Sequence, residues 1–68
     1  MLLLETLANY LATKGVKKYE KFKVYFENKL HICELTETEF WEYQNGVKKP
    51  NEDLGYLILT NNVYIEKY

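Results

Sequence analysis

Between Phe22 and Leu35 the hydrophobic period is two, and that alternation constrains the fold more than any other stretch of the chain. Phe22, Val24 and Phe26 alternate with Lys21, Lys23, Tyr25 and Glu27, which is the pattern of a strand with one buried face. Asn28-Lys29 reads as a tight turn into a second strand. A hairpin folded there sets Phe26 opposite His31, Val24 opposite Cys33 and Phe22 opposite Leu35. The other face then pairs Tyr25 with Ile32 and Lys23 with Glu34, an opposite-charge pair. A sheet with one apolar face must be covered by a second layer.

One helix precedes the hairpin. Leu3, Leu4, Leu7, Ala8, Leu11 and Ala12 recur at helical spacing, and Lys14 and Gly15 stand at the expected stop. The spacing predicts a helix from Leu2 to Lys14 that packs on the sheet. Its polar face carries no lysine before Lys14, unlike a membrane-surface helix.

A second helix is expected from Glu37 to Asn45. Thr36 and Glu39 have the spacing of a capping box, with Leu35 and Phe40 as its hydrophobic staple. Glu37 and Glu39 suit the first turn, and Gly46 suits a C′ position. In that helix Phe40, Trp41 and Tyr43 turn inward while Glu39 and Glu42 face solvent. Residues 47–53, with Pro50, read as a loop, and 54–68 as a second hairpin about Asn61-Asn62. The element order is therefore α-β-β-α-β-β. The expected fold class is α+β, a two-layer sandwich in which two helices cover one face of a four-stranded, mostly antiparallel sheet.

Composition removes several functions. The chain of 68 residues suits one small domain, and its single cysteine allows no internal disulfide. The start lacks a basic region ahead of its leucines, so no signal peptide is expected, and no apolar run reaches the length of a membrane span. A cytoplasmic setting follows. All nine basic residues are lysine and serine is absent, a bias that suits an AT-rich coding sequence such as a bacterial mobile element.

Catalytic chemistry finds little support. His31 and Cys33 share a strand face, as a Cys–His nucleophile pair requires, but Phe22, Val24, Phe26 and Leu35 share it too. A cysteine among apolar neighbours behaves as a small hydrophobe. One His and one Cys fall short of a zinc site, the lack of serine excludes a serine triad, and the three glycines form no phosphate loop. No catalytic, cofactor-binding or metal-ligating residues are expected, and no cofactor.

Binding is the better expectation. Both faces of the expected second hairpin are apolar, Tyr56, Ile58, Val63 and Ile65 on one and Leu57, Leu59 and Tyr64 on the other. Two helices can cover only one sheet face, so a surplus is left for a partner protein or a second copy in a homodimer. The candidate interface comprises Tyr25, Leu30, Ile32, Leu57, Leu59 and Tyr64. These features suggest a small non-enzymatic protein-binding or regulatory protein.

Two alternatives use charge. Lys17, Lys18, Lys21, Lys23 and Lys29 with Tyr25 offer cations and a ring to a nucleic acid, although arginine is absent and the net charge is −1. Glu39 and Glu42, if they lie on the outside of a helix, could imitate phosphates and fill a basic groove.

Overall fold

The computed structural model describes residues 2–68. It is α+β: α1 (Leu3–Thr13), a four-stranded meander of β1 (Lys21–Phe26), β2 (Lys29–Leu35), β3 (Phe40–Gln44) and β4 (Val47–Pro50), then α2 (Glu52–Thr60) and β5 (Tyr64–Lys67). The sheet is antiparallel throughout, in the order β4-β3-β2-β1-β5. Both helices lie on one face. Leu7 and Leu11 of α1 and Leu54 and Ile58 of α2 are buried with Phe22, Val24, Cys33, Leu35 and Phe40 of the sheet.

α1 ends as its sequence requires. The Gly15 N–H donates to the Ala12 carbonyl and the Val16 N–H to the Leu11 carbonyl, the two bonds of a Schellman motif. Gly15 has φ +80°, and Val16 is buried beside the last turn of the helix.

The first hairpin forms two positions away from the expected register. Its loop is Glu27-Asn28, with φ of 51° and 62°, the signature of a type I′ turn. Phe22 therefore pairs with Cys33, Val24 with His31 and Tyr25 with Leu30. Because side chains alternate with period two, a shift of two leaves every residue on its expected face.

Residues 37–45 correct the sequence reading. They form a turn and then β3, not a helix. Thr36 and Glu39 do bond each other, but as the mouth of a hairpin: the Thr36 N–H donates to the Glu39 carbonyl at 3.1 Å, and the Glu39 N–H to Thr36 Oγ1 at 3.4 Å. Two facts outweigh the capping signal. Phe40, Trp41 and Tyr43 favour strand over helix, and Asn45-Gly46 is the residue pair that a type I′ turn prefers, with φ of 53° and 80°. Gly46 is thus a hairpin residue leading into β4, which occupies part of the expected loop.

The second expected hairpin is also replaced. Only its last run forms a strand, β5, and residues 52–60 are helical. Asn51 caps α2, its Oδ1 accepting the Leu54 N–H at 3.1 Å, and Glu52 and Asp53 occupy the first turn. A short apolar run such as residues 54–59 fits a buried helix as well as a strand, so tertiary packing decides. Gly55 lets the helices meet: a Cβ there would lie 3.0 Å from Leu7 Cδ1 and 3.6 Å from the Phe40 ring. The sheet consequently has five strands where four were expected, with α2 placed before the last strand.

Candidate interaction face

The face of the sheet away from the helices is built from three rows of cross-strand neighbours. Leu30, Tyr25 and Tyr64 form the first, across β2, β1 and β5. The second runs from edge to edge as Lys48, Tyr43, Ile32, Lys23 and Glu66. Pro50, Trp41, Glu34 and Lys21 form the third, and the Tyr68 N–H donates to the Lys21 carbonyl beside it. Directly paired residues of antiparallel strands lie close enough for their side chains to touch.

These rows differ in exposure. The first is the most open, with Leu30 46%, Tyr25 38% and Tyr64 60% exposed, and the Tyr25 and Tyr64 rings lie 5.6 Å apart. In the other two rows, rings carry the ammonium groups. Lys21 Nζ is 4.8 Å from the Tyr43 ring centre and 5.5 Å from that of Tyr68, and Lys48 Nζ is 4.9 Å from that of Trp41. Lys23 reaches Glu66 at 3.9 Å.

Two hydrogen bonds fix the ring positions. Tyr43 donates its hydroxyl to Glu34 Oε1 at 2.6 Å, and Trp41 Nε1 donates to Thr36 Oγ1 at 2.9 Å. The bond to Glu34, aided by burial and by the charge of that carboxylate, pushes the Tyr43 hydroxyl above the usual phenol range. Glu34 itself is buried, which makes it the one enclosed carboxylate on this face.

Of the interface residues expected from sequence, Tyr25, Leu30, Ile32 and Tyr64 come together here. Leu57 and Leu59 do not. They belong to α2 and pack, partly buried, against the core, because the segment is a helix. Among the expected nucleic-acid residues, Lys21 and Lys23 join Tyr25 on this face. Lys17 and Lys18 lie in the connection from α1 to β1, where Lys18 pairs with Glu37 at 3.3 Å. Lys29 pairs with Phe26 and is thereby on the helix-bearing face. The expected acidic face does not exist: Glu39 sits in an exposed turn, whereas Glu42 is buried on β3.

Glu42 is instead the centre of a polar cluster under the helices. His31 Nδ1 lies 2.6 Å from Glu42 Oε2, Asn51 Nδ2 donates to Oε1 at 2.8 Å and Gln44 Nε2 to the same oxygen at 3.2 Å. An ionised carboxylate can only accept, so Nδ1 of His31 carries the proton. Burial pushes the Glu42 carboxyl upward, but the hydrogen bonds from His31, Asn51 and Gln44 outweigh it and leave the group below the usual range. Cys33 is the cross-strand neighbour of Glu42 and is fully buried. Burial, with the Glu42 charge beside it, pushes the thiol far up, so it has no thiolate character. Among the described residues no group of three or more His, Cys, Asp or Glu side chains is placed to hold a metal ion.

Trp41, Tyr43, Lys48 and Glu66 belong to the open face without having been expected there. Their signal was the alternation of Phe40, Glu42 and Gln44 with Trp41 and Tyr43, followed by Asn45-Gly46. No helix among the described residues is long and apolar enough to cross a membrane. Set against known protein families, characterised proteins and solved structures, the chain finds no significant match in any of the three.

Proposed function

We propose that this chain is a small, non-enzymatic protein-binding module that works through the helix-free face of its sheet. The single observation that carries this is the row Leu30, Tyr25 and Tyr64, three large side chains exposed side by side in an otherwise well-packed fold. Tyrosine and tryptophan are enriched where proteins meet, since they bury much area for few rotatable bonds. Trp41 and Tyr43 extend that surface, and Lys21, Lys23, Lys48 and Glu66 supply a charged surround. A reducing, cytoplasmic setting suits a lone cysteine kept buried and unpaired.

The test is capture from an extract of the cells that encode it. The wild-type chain should retain a protein, itself included, that a folded Tyr25→Glu/Tyr64→Glu variant loses. Equal retention by both would remove this face from the function.

Nucleic-acid binding is the second reading, favoured by one observation. Lys21 and Lys48 rest on aromatic rings with no carboxylate in ion-pair range among the described residues, so cations and stacking platforms occur together. Glu34 and Glu66 on the same face, and the net charge of −1, oppose it. A labelled oligonucleotide titrated at low and moderate salt separates the readings. Phosphate-driven binding declines steeply as salt rises.

A further inference from the structure

We propose that the occupant of the helix-free face is a second copy of this chain, docked face to face about a two-fold axis that runs along β2. The inference rests on the reading of that face as protein-binding and adds the identity of the partner.

Its basis is the way charge and rings are distributed over the sheet order. β2 is the central strand of β4-β3-β2-β1-β5, so an axis along it lays β4 over the partner's β5 and β3 over its β1. The rows keep their level. In the second row Lys48, at one edge, then faces Glu66, at the other. Tyr43 faces Lys23, and Ile32 meets its own copy on the axis. In the third row Trp41 faces Lys21. Tyr43 and Trp41 already hold lysine ammonium groups within one chain, so the same ring–cation chemistry serves between chains.

The first row completes the match. Leu30 meets Leu30 on the axis, while Tyr25 and Tyr64 lie over the Asn45-Gly46 turn, where nothing stands within 4 Å of a Cβ added to Gly46. Opposed sheets keep their strands within about 30° of each other at roughly 10 Å, close enough for these side chains to interdigitate. A nucleic acid would meet Glu34 and Glu66 with further negative charge, whereas a second copy answers Glu66 with Lys48. One contact opposes the dimer: Glu34 lies on the axis and faces Glu34. It makes the association reversible, and its removal supplies a diagnostic.

The experiment uses the full chain in sedimentation equilibrium across micromolar to submillimolar concentration. The expected result is a monomer–dimer equilibrium that Lys48→Glu weakens on the order of fivefold or more and that adding Glu66→Lys restores. Both positions are at exposed sheet edges, and circular dichroism checks that each variant is folded. Glu34→Gln should tighten the dimer. A short bis-maleimide, which spans facing sheets too far apart for a direct disulfide, should join Leu30→Cys copies to each other, the native Cys33 being buried. A chain that stays monomeric throughout overturns the second copy. If that monomer still captures another protein through Tyr25 and Tyr64, the face reading survives and only the identity of the partner falls. Cross-linking through Leu57→Cys in place of Leu30→Cys overturns the proposal as well, and salt-sensitive oligonucleotide binding by the monomer overturns both.

Discussion

His31 and Glu42 join the two middle strands of the meander through a 2.6 Å hydrogen bond on the helix-covered side of the sheet. The same carboxylate accepts from Asn51, whose own side chain caps α2. One buried oxygen pair thus ties β2, β3 and the start of α2 together.

This gives the fold an acid-sensitive point. The carboxyl of Glu42 is held below its ordinary range in the folded chain, so the folded state favours its ionised form. Stability from this group is complete above the ordinary carboxylate range and is lost as pH falls through the lowered folded value. Denaturant unfolding followed from pH 7 to pH 3 should show that loss, and Glu42→Gln should flatten it while lowering stability at pH 7. Glu42→Ala, which removes the acceptor of the half-buried His31 and Asn51 donors, should cost about 3 kcal/mol. An unchanged pH profile in Glu42→Gln would place the acid sensitivity elsewhere.

The meander depends on its turns. Gly46 has φ +80° and open space around it, so a side chain there meets no neighbour and suffers only from the backbone conformation. Gly46→Val should therefore cost roughly 1–2 kcal/mol. A smaller loss, read as a shift in the urea midpoint, would mean that the turn does not hold the positive φ.

Gly55 is limited by space instead. A Cβ there presses on the Leu7 methyl and touches the Phe40 ring, both buried. Gly55→Val adds two further carbons and should cost about 1–3 kcal/mol by separating the helices. Phe40→Ala should cost roughly 3–5 kcal/mol through the cavity it leaves. Comparable thermal midpoints for wild type and Gly55→Val would show that the helices have room to spare.

Cys33 offers a chemical check. The thiol is buried and held protonated by its surroundings. A thiol reagent should modify it slowly in the native state and rapidly after denaturation. Rapid labelling of the folded chain would contradict the packing of β2 under the helices.

What the sequence made legible follows from how local each signal is. α1 and the first hairpin rest on sustained periodicity, and a two-residue error in register kept Lys21, Lys23 and Tyr25 on the open face. Residues 36–46 carry two competing signals. Thr36 and Glu39 form the same short-range bonds at a helix start or at a hairpin mouth, and Gly46 suits a helix end or a type I′ turn. The choice was made by strand pairing with β2, a contact that no local window contains. The helix α2 was hidden for the opposite reason. Its apolar run is too short to display a period, and the Asn51 cap was its clearest sign. A helix over residues 37–45 turns Trp41 and Tyr43 inward, so the local pattern alone conceals the part of the candidate face that β3 supplies.

The helix-free face is the proposed meeting place with another protein, a second copy of this chain first. A dilution series followed by amide and side-chain NMR shifts tests it most directly. Shifts that depend on concentration should fall on Leu30, Ile32, Trp41, Tyr43 and Tyr64, and leave Leu57 and Leu59 of α2 unmoved. Spectra that do not change with concentration, or changes centred on α1 and α2, would contradict it.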